Sequence, residues 1–141
     1  IMWNARFDEQ IALLGYDLAP NRVEPGKTLT VTLTWQARAP IRHSYTIFNH
    51  LTTPAGDLLA QQDGLPQDGR APTTCWLPGE VVTDTYVLTL PDDVAADRAR
   101  LVTGLYRWET GERLPVDGAA ATPNRAVELA ELRLSSNAPG D

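Results

Sequence analysis

What this chain lacks narrows it before any motif is read. No stretch approaches the 18 or more consecutive apolar residues that a membrane-crossing helix needs, and no basic segment followed by an apolar run marks a signal peptide. Basic residues are in deficit: 12 Lys and Arg stand against 18 Asp and Glu, a formal charge of −6. A surface of that sign repels phosphate backbones and anionic bilayers, so nucleic acid is not an expected partner. Cysteine occurs once, at Cys75; it has no internal disulfide partner, and a lone cysteine of this kind is expected to be a small buried apolar residue. Catalytic signatures are missing too. There is no His-Glu-x-x-His, no paired Cys-x-x-Cys, no Gly-x-Ser-x-Gly and no phosphate-cradling glycine loop. The two histidines, His43 and His50, lie seven apart on one expected strand, hence on opposite faces, and are not expected to share an ion. These absences argue against an enzyme, a metal site and a cofactor.

What is present is a chain of 141 residues, 43% hydrophobic and 21% charged, enough for one domain with its own core. The start, Ile1-Met2-Trp3, is no initiator context, so the chain reads as a piece of a longer protein. Residues 27–37 give the clearest element: Leu29, Val31, Leu33, Trp35 and Ala37 alternate with threonines and Gln36, the period of a strand with one face in a core. Residues 10–19 form a first strand and residues 42–53 another, with Tyr45, Ile47 and Leu51 on one face and Phe48 and His50 on the other. Those last two are either covered by a neighbouring loop or part of a contact surface. Residues 58–62 return antiparallel after a turn at Pro54-Ala-Gly56-Asp57. Residues 80–90 alternate again, a turn of helix is allowed over 94–98, and residues 99–108 pair back through a hairpin turn at Glu109-Thr110-Gly111-Glu112 onto 113–116. In 126–134 the apolar parity changes between Leu129 and Leu132, which predicts a β-bulge near Ala130. Residues 135–141 bury nothing and are expected to fray.

Short strands, frequent turns and almost no helix define an all-β fold, a two-sheet antiparallel β-sandwich of immunoglobulin-like or jelly-roll type, spanning 1–141 as one domain with its core over about 10–134.

Between two groups of strands lies the stretch 63–84, with Pro66, Pro72 and Pro78 and with Gly64, Gly69 and Gly79, which predicts a shaped loop. Its side chains are the functional candidates. Asp57, Asp63, Asp68 and Asp84 suit a calcium ion by type, but their spacing matches no EF-hand and aspartates beside glycine and proline commonly cap turns. Trp35 belongs to a core face. Trp76, in the loop, either anchors the loop to the sandwich or stacks on a sugar ring, with Asp63 and Asp84 converging on the hydroxyls. Asp63, Trp76, Asp84, Phe48 and His50 are therefore the candidate ligand-binding residues.

Taken as a set, Leu14-Gly15-Tyr16, Pro25-Gly26 with Leu33-Thr34-Trp35, Tyr45-Thr46-Ile47-Phe48-Asn49-His50-Leu51, Gln62-Asp63, Pro66, Gly69, Pro72-Thr73, Trp76, Pro78-Gly79-Glu80, Asp84, Gly104-Leu105-Tyr106 and Thr110-Gly111-Glu112-Arg113-Leu114-Pro115-Val116 form a distinctive pattern. Over residues 11–134 the chain resembles the C-terminal extracytoplasmic domain of bacterial membrane glycosyltransferases similar to the dolichyl-phosphate-mannose protein mannosyltransferases. The resemblance implies an accessory domain without an active site of its own, tethered outside the cytoplasm to a membrane part that holds the catalytic carboxylate. It implies as partners that membrane part and a glycan or acceptor protein, and it supplies no binding residues. A free-standing adhesion or protein-interaction domain is the alternative.

Overall fold

The computed structural model describes residues 2–134 apart from 21, 95 and 119, and the side chains from residue 5 onward. The fraying expected of 135–141 lies outside the described residues. Nine strands are described: β1 Met2–Phe7, β2 Ile11–Ala19, β3 Thr28–Ala37, β4 Tyr45–Thr52, β5 Leu58–Gln61, β6 Val81–Thr89, β7 Arg98–Arg107, β8 Val116–Asp117 and β9 Val127–Arg133. They form a five-stranded sheet in the order β6-β3-β2-β1-β8 and a four-stranded sheet in the order β5-β4-β7-β9. Every named pair is antiparallel. The pairs β3–β6 and β4–β7 skip over intervening strands, the Greek-key type of connection found in antiparallel β-sandwiches.

The core is what strand alternation dictates. Leu29, Val31, Leu33 and Trp35 of β3 are fully buried and meet Ile47, Leu51, Leu101 and Leu105 from the facing sheet. Trp35 packs edge-on against Phe7, ring centroids 5.7 Å apart. The Tyr16 hydroxyl donates to the Leu129 carbonyl at 2.7 Å, joining β2 to β9. In β9 the register runs Leu101↔Ala130 and then Val102↔Glu128, so Leu129 is the extra residue of a bulge, where the parity change placed it.

Several expectations are corrected. The first strand is β1, not residues 10–19: Trp3, Ala5 and Phe7 alternate with Asn4 and Arg6, Ala5 and Phe7 are buried, and β1 pairs with β2 and β8. No helix turn occurs over 94–98 among the described residues, and Arg98 already belongs to β7. His43 precedes β4 and is exposed, rather than lying seven along the same strand from His50. The stretch 63–84 is not loop throughout: it carries 3-10 turns at Pro66–Gly69 and Thr73–Cys75 and becomes β6 at Val81. Cys75 is exposed, not buried, because it ends the second of these tight turns facing solvent.

The hairpin after β7 does more than pair back. The Arg107 amide donates to Glu112 and the Leu114 amide to Leu105, both at 2.9 Å, so residues 112–114 flank β7. The chain then crosses to the other sheet, where Val116–Asp117 pairs with Arg6 and Phe7.

Candidate functional site

On the outward side of the four-stranded sheet, strand parity lines up Thr46, Phe48, His50 and Thr52 of β4 with Tyr106, Gly104, Val102 and Arg100 of β7. Such a face is ordinarily polar. Here Phe48 lies across it, because its cross-strand partner is a glycine: a Cβ at Gly104 would sit 2.5 Å from two Phe48 ring carbons. The Phe48 ring is only 1% exposed. Its cover is Arg113, which the Tyr106↔Arg113 bridge puts on the same face, with the guanidinium carbon 4.2 Å from the ring centroid. The His50 ring stands 5.0 Å from Phe48 and the Tyr106 ring 6.2 Å.

Asp63 enters this face from the stretch that follows β5. Its Oδ2 accepts the Tyr106 hydroxyl at 3.2 Å, and its Oδ1 lies 3.6 Å from His50 Nε2, buried and without a hydrogen bond. Burial raises the Tyr106 hydroxyl above its ordinary pKa, and the Asp63 carboxylate adds to the effect, so Tyr106 stays a donor at neutral pH.

Three adjoining hollows make this face a groove. One of about 470 Å³ is lined by Thr46, Asp63, Leu65, Tyr106, Trp108 and Glu109, one of about 200 Å³ by Phe48, His50, Asp63, Tyr106 and Arg113, and one of about 420 Å³ by His50, Thr52, Arg100, Arg113, Asn124 and Glu128. Asp63 and Tyr106 are shared by the first two, His50 and Arg113 by the last two. Trp108, in the hairpin turn, is 74% exposed at one end of it.

Of the five residues singled out from the sequence, the structure brings Asp63, Phe48 and His50 together here and leaves Trp76 and Asp84 elsewhere. The two readings of Phe48 and His50 both hold in part: Phe48 is covered, while His50 is partly exposed and lines the hollows. Trp76 is 3% exposed and its indole N–H donates to the Ala71 carbonyl at 2.8 Å, so it anchors its loop and offers no face for stacking. Asp84 sits on the inward side of β6, 3% exposed, where its Oδ1 accepts the Gln67 amide at 2.8 Å. That bond, with Gln67 Nε2 to the Thr83 carbonyl at 2.9 Å, holds the left-handed pair Gln67 and Asp68 in place. Asp84 Oδ2 is buried without a hydrogen bond, and desolvation raises its carboxyl above the usual carboxylate range. The expected convergence of Asp63, Trp76 and Asp84 is therefore not realised, since the two ends of the stretch are absorbed by different sheets. Among the described residues, no group of three His, Cys, Asp or Glu side chains gathers in a way that would hold a metal ion.

Sequence reasoning missed Tyr106, Trp108 and Arg113. The signal for the rings was present: Tyr106 and Trp108 are two apart at the end of a strand whose opposite parity, Leu101, Thr103 and Leu105, is buried. Arg113 needed the cross-hairpin bridge, which spacing alone does not fix.

No protein-family model matches the chain, and no curated protein sequence does. The fold, by contrast, has solved counterparts. The C-terminal domain of Wzt superposes with a TM-score of 0.65 at 11% identity, covering 95% of this chain and 78% of that one. A CARDB domain from Pyrococcus furiosus, solved with two metal ions, gives 0.48 at 11% identity over 95% of this chain and 96% of that one. A β-glucuronidase of Bacteroides uniformis gives 0.49 at 16% identity, over 81% of this chain but 14% of the enzyme. At 11% identity the likeness to the Wzt domain concerns the fold alone.

Proposed function

We propose that this domain is a non-catalytic glycan-recognition module, carried outside the cytoplasm by a membrane glycosyltransferase, and that the groove over β4 and β7 is its glycan site. The observation that carries this reading is the groove's composition. The exposed indole of Trp108, beside the Tyr106 ring, offers an apolar face to sugar C–H groups, while Ser44 and Thr46 in the same hollow and Asn124 in an adjoining one present hydrogen-bonding groups for hydroxyls. The accessory role and the tether rest on the resemblance to the mannosyltransferase-type C-terminal domain. A reading frame with many hydrophobic spans upstream of Ile1 is what that role requires.

The test is a titration of the domain with manno-oligosaccharides and a wider saccharide panel, followed by tryptophan fluorescence. Trp108→Ala is the diagnostic variant, because an exposed residue can be truncated with little effect on stability. Losing one stacked ring costs about 1–2 kcal/mol, roughly five- to thirtyfold in Kd. Saturable binding weakened by that factor in a variant that melts like the parent supports the site; no binding to any saccharide, or equal binding by the variant, rejects it.

A further inference from the structure

Arg113 is the charge in the groove that the protein does not answer. The arginines of β7 are matched: Arg98 meets Glu131 at 3.2 Å, Arg100 meets Glu128 at 3.7 Å, and Arg107 meets Glu109 at 3.8 Å. Among the described residues no carboxylate lies within 4.0 Å of Arg113. Of the carboxylates that line the groove, Glu109 lies 3.8 Å from Arg107 and Glu128 3.7 Å from Arg100, while Asp63 accepts the Tyr106 hydroxyl. In the 420 Å³ hollow Arg100 and Arg113 stand against Glu128 alone, so in a chain of net charge −6 that end of the groove is lined by an excess of positive side chains.

The guanidinium is also held still. Phe48 lies beneath it at 4.2 Å, Nη1 donates to the Asn124 carbonyl at 3.0 Å, and the Arg113 carbonyl is itself gripped by Arg125 Nη1 at 2.9 Å. One N–H group of the fork is used in that bond, and Arg113 lines both the 200 Å³ and the 420 Å³ hollow. A planar fork on a ring, fixed before any ligand arrives, is the arrangement that binds a carboxylate or phosphate in two-pronged fashion with little ordering cost.

From this we infer that the glycan is acidic: its carboxylate or phosphate seats on Arg113 while a neighbouring sugar ring lies toward Tyr106 and Trp108. The inference rests on the glycan reading of the groove and adds the ligand's charge to it.

The experiment compares three probes on the parent domain: uronate oligosaccharides, the same oligosaccharides with carboxyls reduced to alcohols, and a phosphorylated manno-oligosaccharide. The expected result is that one acidic class binds about ten- to a hundredfold tighter than the reduced neutral one, as a charge-assisted pair requires, and which class does so tells carboxylate from phosphate. That advantage should shrink as salt rises from about 0.01 M to about 1 M and the Debye length falls from about 30 Å to about 3 Å. Arg113→Gln should erase the preference while leaving the neutral probe bound, and Arg113→Lys, which keeps the charge without the fork, should keep only part of it. Thermal melts of both variants verify the fold, and a purely structural Arg113 would change all three probes alike. Equal binding of charged and neutral probes, insensitive to salt, overturns this inference and leaves the glycan site standing. Failure of every probe overturns both.

Discussion

Gly104→Ala tests the groove's floor with the smallest possible perturbation. Gly104 has no left-handed backbone angle, so the backbone itself tolerates alanine. What does not is the space. The new methyl would lie 2.5 Å from Cε2 and Cζ of Phe48 and 3.3 Å from the Arg125 carbonyl oxygen, and the stiff Phe48 ring is 1% exposed with Arg113 on its outer side. Overpacking of this kind costs about 1–3 kcal/mol, from which the usual gain of about 0.4–1 kcal/mol for replacing a glycine is to be set off, leaving a net loss of roughly 1–2 kcal/mol. Urea melts at constant m-value measure it. The diagnosis comes from a double-mutant cycle with Phe48→Leu, which removes the ring atoms that the methyl strikes. The pair should be more stable than the sum of the single losses by about 1 kcal/mol or more. If Gly104→Ala equals or exceeds the parent in stability, or if the two changes simply add, the ring does not lie where this account of the groove needs it.

Two further changes probe the sandwich itself. Trp35→Ala should cost about 3–5 kcal/mol in urea melts, the range for removing a large core aromatic, whereas Trp35→Phe should cost much less because the buried Trp35 indole N–H has no hydrogen-bond partner to lose. For Asp84 the sign follows from burial: a carboxyl whose folded pKa is raised holds its proton more tightly folded than unfolded, so its contribution is most favourable below the ordinary carboxylate pKa and falls as pH rises through the raised value. Asp84→Asn keeps an oxygen for the Gln67 amide and removes that dependence, so it should equal or exceed the parent in stability at about pH 7 while losing the advantage at about pH 4. A variant destabilised at neutral pH would show that the carboxylate is satisfied in solution.

The strands were legible where one face is buried and the other wet, because then the period of two is written in the residue types. Residues 28–37 are the plain case, and the Val127-to-Leu134 parity change gave even the bulge. Legibility failed at the turn after β1, where Asp8 and Glu9 take left-handed angles with no glycine to mark the hairpin onto β2, and at the two-residue β8, which a crossover lays beside β1. It failed at the site as well. Asp63, Phe48 and His50 could be named as candidates from their positions, but Asp63 and Asp84 were grouped because they bracket one stretch of sequence. In the fold that stretch is the passage from one sheet to the other, so its two ends belong to different faces.

The same topology explains why the groove lies on this sheet and not on its partner. The outward face of the five-stranded sheet carries Thr28, Thr30, Thr32 and Thr34 of β3 beside Thr83, Thr85 and Thr89 of β6. These are short side chains that reach one another, as Thr32 and Thr85 do at 3.4 Å, and the hollow of about 440 Å³ beside Thr83 and Thr85 at the sheet's edge owes its other wall to Gln67, Asp68 and Arg70. The four-stranded sheet has a wall because the chain leaving β7 must return alongside it before crossing to β8. That return runs through Arg113, whose bridge to Tyr106 fixes its parity outward, and Leu114, whose parity turns it into the core. The crossover thus places a ring-stacked guanidinium and the exposed Trp108 over a face that alternation alone would have left flat. A shortened hairpin that still let Leu114 reach the core would keep the sandwich and lose the groove.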